Sequence, residues 1–187
     1  KQKNKAIEKL FSHPLDLIEL LLNISQTGGR LDIILEKKLA DNFDQLIDLV
    51  RKLENSDISS FLRQAFIAPY TSDLIAQMWE ISIIDDQFGQ VKSLFGLFIP
   101  EADQMRYLRR NTEIHEYPLC VHSNKALKTI EFELKNIRQN DPELLSFLNE
   151  DSIFALKWSC LFHDIGKIYP ELNHEKTGPK LAVQNLD

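Results

Sequence analysis

Cysteine is almost missing from this 187-residue chain. Only Cys120 and Cys160 occur, in unlike contexts and without a CxxC pair, so neither a disulfide framework nor a thiolate zinc site is implied. A reducing cytoplasm is the compartment that fits. Excess positive charge is missing too: the net charge is -6. Binding along a phosphate backbone needs clustered Lys and Arg to displace counterions, so an extended nucleic-acid footprint is disfavoured. No apolar run reaches the roughly 18 residues of a membrane span. The opening KQKNKAIEKLF lacks the apolar core and cleavage site of a signal peptide. Glycine is scarce at six, and there is no repeat, low-complexity tract or flexible linker.

What remains is the composition of a folded protein, 43% hydrophobic and 27% charged, long enough for one sizeable core or two small ones. Apolar residues recur at helical spacing: Ala6, Ile7, Leu10 and Phe11, then Leu15, Ile18, Leu21 and Leu22, then Ile33, Ile34, Leu39, Phe43, Leu46, Ile47 and Val50. Strand-like alternation is nearly absent, so the expected fold is all-α, with nine or ten short helices. Pro14 suits a first helical turn and Gly28-Gly29 a helix stop. Further starts are expected at Ser56-Asp57, at Thr71-Ser72-Asp73, at Asp85-Asp86, and at Asp141 before Pro142. The stretch from Pro100 to Pro118 reads as irregular and divides the chain into a helical module, residues 1–98, and a second part, residues 99–187, that holds four of the five histidines. The two are expected to pack as distinct bundles. Trp79, Trp158, Phe88, Phe95 and Phe98 fall at helical spacing among aliphatics and read as core, not as a base-stacking platform.

The chemistry concentrates in Ser159-Cys160-Leu161-Phe162-His163-Asp164-Ile165-Gly166-Lys167, an apolar helix that presents two adjacent ligand-type residues and then breaks at glycine. Neighbouring helical residues differ by about 100° around the axis, so His163 and Asp164 reach one ion only if it lies against that edge near the helix end. His122 stands upstream and His174 downstream. Imidazole and carboxylate donors without thiolate suit Mn, Fe, Co, Zn or Mg in a hydrolytic role. Such a cation acidifies water and neutralises phosphate charge.

The pattern of His122, then His163-Asp164-Ile165-Gly166-Lys167, then His174 before Gly178 resembles the HD-domain phosphohydrolase superfamily. Ile99-Pro100-Glu101, followed by His115-Glu116-Tyr117 and then His122, is similar to the central region of the bacterial PII-protein uridylyltransferase/uridylyl-removing enzymes. The helix after His13-Pro14-Leu15 looks like the helical region that links the nucleotidyltransferase and HD domains of that family.

The resemblance implies a helical linker module followed by the N-terminal part of an HD bundle, truncated here. It makes His122, His163 and Asp164 ligands of a divalent metal (Mn, Mg or Fe) and gives Asp164 and Lys167 catalytic roles, Lys167 on the substrate phosphate. His115 and His174 become candidates for a second metal or a phosphate contact. The substrate it implies is a nucleotidylylated PII-like signalling protein or another nucleotide phosphoester. Departures from the family pattern are equally visible. Cys120 stands where an acidic residue is common, Asp187 is a poor match for the closing aspartate, and no nucleotidyltransferase motif is present. On that reading the piece alone is weakly active or inactive and is expected to cover a bared apolar face with a second copy.

Two alternatives stand beside it: the HD region of tRNA CCA-adding enzymes, and a regulatory helical module whose site is incomplete. The bland alternatives are a bare polar pair at a helix end for His163-Asp164 and a surface helix-start histidine for His122, while His115 and His174 could equally cap a helix or lie in a loop. His13 reads as a turn residue. Arg106, Arg109 and Arg110 form the one basic cluster, either a solvated helix face or a means of drawing an anion toward the site.

Overall fold

In the structure, a computed structural model, residues 10–85, 89–108, 117–169 and 171–184 are described. The periodicity becomes helices much as expected: α1 Pro14–Thr27, α2 Ile33–Asp41, α3 Phe43–Val50, α4 Asn55–Ile67 and α5 Thr71–Glu80 come first. After them come α6 Leu94–Phe98, α7 Glu101–Tyr107, α8 Leu119–Asn140, α9 Pro142–Ser146, α10 Glu150–Phe162, a 3-10 turn Ile165–Ile168, and α11 His174–Gln184. Pro14 opens α1, with the His13 side chain accepting from the Leu15 amide as its N-cap. Gly28 closes it at φ 66°, where a side chain would be strained, and returns its N–H to the Ile24 carbonyl.

Three expectations need correction. The fold is not purely helical, because Ser82–Ile84 (β1) and Val91–Ser93 (β2) pair antiparallel in the register Ser82 with Ser93, Ile83 with Lys92 and Ile84 with Val91. No helix starts at Asp85, whose backbone instead accepts from the Gly89 amide and donates to the Gln90 carbonyl to close the hairpin; Asp86 and Phe88 lie outside the described residues. Strands of three residues are too short to show alternation, but their β-branched Ile and Val supply the local preference. The stretch after Pro100 is not all irregular, since Glu101–Tyr107 is helical. At α4 the cap sits one residue ahead of the helix, where Glu54 and Asp57 form a reciprocal capping box.

The expected separate packing is not observed either. Buried residues from Leu10 to Ile165 form one cluster, because α8 packs on α5 and α10 packs on α4 as well as on α8. Aromatics run through it: Trp79 meets Phe95 edge-on at 5.3 Å, Phe66 lies 4.9 Å from Trp158, and Trp158 lies 4.6 Å from Phe162. Their placement as core matches expectation for Trp79, Phe95, Phe98 and Trp158.

One ion pair is sealed in this junction. Lys157 of α10 is 2% exposed; its ammonium donates to the Ala68 carbonyl, to Thr71 Oγ1 at 3.1 Å and to Glu131 Oε1 of α8 at 3.0 Å. Glu131 also accepts from the Ser72 amide at 3.1 Å and from the Ser72 hydroxyl, so it serves the open N–H groups at the start of α5. Burial pulls the Lys157 ammonium below its ordinary pKa against the opposing pull of Glu131. Among the described residues no helix is long and apolar enough to cross a membrane.

Candidate metal centre

α8 and α10 cross so that His122, in the first turn of α8, faces the end of α10, where His163 and Asp164 follow Phe162. His122 Nε2 lies 3.3 Å from His163 Nε2 and 3.8 Å from Asp164 Oδ2, and His163 Nε2 lies 3.4 Å from the same oxygen. Three atoms so spaced lie on a circle of about 2.0 Å radius, so an ion at or just above its centre meets the roughly 2.0–2.2 Å that nitrogen and carboxylate donors require. The donors therefore fit a divalent cation. The 3.3 Å contact is also within hydrogen-bond reach, so one shared proton can hold the two rings together in the ion's stead.

What surrounds the three donors favours their pointing inward. His163 Nδ1 lies 2.8 Å from the Cys160 carbonyl, which can only accept, so the ring proton sits on Nδ1 and the Nε2 lone pair faces His122 and Asp164. Lys167, one turn on, donates to Asp164 Oδ2. Burial alone pushes the Asp164 carboxyl up, but the Lys167 hydrogen bond and the nearby His163, Lys167 and His122 outweigh it and hold it below its ordinary value. Asp164 is thus an ionised acceptor. The imidazoles are about 40% exposed while the Asp164 and Lys167 side chains are 13% exposed, so the pair of rings opens to solvent above a shielded carboxylate and ammonium.

The helix break behind the site is sterically required. A Cβ on Gly166 would lie 2.4 Å from the His174 carbonyl oxygen and 2.7 Å from the Gly178 nitrogen, so α11 can rest on the 3-10 turn only because Gly166 has none. The Trp158 indole N–H donates to the Ala182 carbonyl at 2.8 Å and pins the other end of α11 to α10.

Among the described residues, His122, His163 and Asp164 form the one group of ligand-type side chains with donor atoms all within 4.8 Å of one another. His174 opens α11 but does not join it. His115, Arg109, Arg110 and Asp187 lie outside the described residues. Arg106 is half-buried and donates to the Trp79 carbonyl at 2.7 Å, which ties α7 to α5. Burial pushes both thiols, Cys120 and Cys160, above their ordinary pKa, so neither supplies a thiolate. The sequence offered no signal for the Cys160 carbonyl as the partner of His163, because any residue type supplies a carbonyl.

No family model, curated protein or solved structure matches this chain.

Proposed function

We propose that the chain carries the metal-binding part of a metal-dependent phosphohydrolase of HD type, with His122, His163 and Asp164 as the protein ligands. The observation that carries this reading is the spacing of 3.3–3.8 Å among three donor atoms from α8 and the turn that follows α10, a spacing that a shared ion fits. Three protein donors leave coordination positions open, as hydrolytic sites do and closed structural sites do not. A divalent cation held there would neutralise phosphate charge and acidify water.

The chain's own residues would do the rest. The Cys160 carbonyl fixes the His163 tautomer, and Lys167 keeps Asp164 ionised. The Lys167 ammonium, bonded to Asp164 beneath the two imidazoles, would add positive charge against the phosphate and offset the charge that grows on it as the ester bond breaks. The finer reading rests on the resemblance: a nucleotidyl phosphodiester on a PII-like signalling protein, cleaved by the uridylyl-removing half of such an enzyme. A regulatory module is the second reading, favoured by the lack of a fourth donor among the described residues.

The test is calorimetric titration of the chain with Mn2+, alongside hydrolysis of bis-p-nitrophenyl phosphate. One ion per chain is expected, lost in His163→Ala and in Asp164→Ala, with hydrolysis that depends on both residues. Hydrolysis left intact by both substitutions overturns the hydrolase reading, and absence of any ion binding overturns the metal reading.

A further inference from the structure

About 13 residues along α8 from His122, roughly 20 Å at the helical rise, lies a cavity of about 580 Å³ that shares no residue with the metal group. Ile67, Pro69, Phe132 and Ile153 give it apolar walls, drawn from the end of α4, the turn into α5, α8 and α10. Its charges divide into two kinds. Glu131 is paired with Lys157, and Lys128 lies 3.5 Å from Asp73. Lys135 and Arg138, one turn apart on α8 and both exposed, line the same cavity and have no carboxylate partner among the described residues. Two cations are thus left uncompensated in a chain of net charge -6, so this positive spot is local and not a reflection of bulk charge. Phe132, with an apolar ring on the cavity wall, is 60% exposed.

Apolar walls, two exposed cations beyond the internally paired charges and a volume in the range of about 300–1,000 Å³ suit a small-molecule site. We infer that this cavity binds a small organic anion with an apolar body: Lys135 and Arg138 hold the anionic head, and Phe132, Pro69 and Ile153 cover the skeleton. An inorganic anion alone would leave the apolar walls in water. A neutral apolar molecule would leave the two cations unanswered. The guanidinium of Arg138 offers paired donors that match a carboxylate, sulfonate or phosphate head.

The probe is 8-anilinonaphthalene-1-sulfonate, an aromatic body with a sulfonate head, followed by fluorescence and calorimetry on the folded chain. One probe per chain is expected, displaced by octanoate and not by inorganic phosphate at equal concentration. Lys135→Glu with Arg138→Glu should weaken binding by about tenfold or more, since two attractive contacts become repulsions. Phe132→Asp should weaken it as well, and His163→Ala should leave it unchanged. Should the double variant fail to fold, Phe132→Asp decides by itself. Equal affinity in the charge-reversed or Phe132 variants, several probes per chain, or displacement by phosphate as effective as by octanoate overturns the inference. Because no variant of the cavity touches the metal group, failure here leaves the metal reading standing.

Discussion

Replacing Lys157 by Met removes the ammonium from a place where three acceptors converge. The Ala68 carbonyl loses that partner, Thr71 keeps its bond to the Ala65 carbonyl at 2.8 Å, and the Glu131 carboxylate keeps only its Ser72 donors and 8% side-chain exposure. Breaking a buried pair by removing one partner costs about 3–5 kcal/mol, because a charge is left without compensation. The two Ser72 donors hold the cost of Lys157→Met near the lower end, about 3 kcal/mol. Against a total stability of about 5–15 kcal/mol this is severe. At about 2–4 °C per kcal/mol for a chain of this size it lowers Tm by about 6–12 °C. Adding Glu131→Gln in the same chain should recover about 1 kcal/mol or more, since Gln still accepts from the Ser72 amide while leaving no charge behind. Urea and thermal unfolding followed by circular dichroism measure both steps. A cost under about 1 kcal/mol, the value of an exposed pair, refutes the argument. So does a second substitution that only adds to the damage.

Two further predictions concern the candidate centre. Gly166→Ala places a methyl against two backbone atoms of α11 at 2.4 and 2.7 Å, so the helix must retreat, at about 1–3 kcal/mol by urea unfolding. Gly178→Ala, whose nearest atom is at 3.4 Å, should cost less, and the reverse order would refute the packing argument. The Asp164 carboxyl is held below its ordinary 3.8, against burial, by the Lys167 hydrogen bond and by electrostatic interaction with His163, Lys167 and His122. A folded pKa below the unfolded one contributes stability above the unfolded value that is lost as pH falls through the folded value. In metal-free buffer Asp164→Asn should therefore destabilise near neutral pH, with the gap from the parent closing as pH falls through 3.8 and below. A gap independent of pH would refute it.

The helices could be read along the chain because their causes are local. Pro14 at a first turn, Gly28 at φ 66° and apolar residues every three or four positions act within a few residues of one another. The hairpin could not, since three-residue strands carry too little pattern and owe their pairing to partners across a loop. Nor could α7, where seven helical residues follow Pro100 in a stretch that reads as broken.

At the candidate centre, the segment around His163-Asp164 announced itself by setting two ligand-type residues at the end of an apolar helix. His122 had no such local signal, and its place in the group was expected from a resemblance alone. Its distance of 3.3 Å from His163 is a product of how α8 lies across α10. Glu131 and Lys157 show the same division more sharply: in the chain they are ordinary charged residues, and only packing shuts them together away from water. Sequence by itself determined the helical character, helix ends such as Pro14 and Gly28, and the chemistry available, because backbone preference and side-chain identity are properties of short segments. Tertiary structure alone decided the single core, the buried ion pair, the close approach of α11 at Gly166 and the meeting of three donor atoms, because these depend on contacts between residues far apart in the chain.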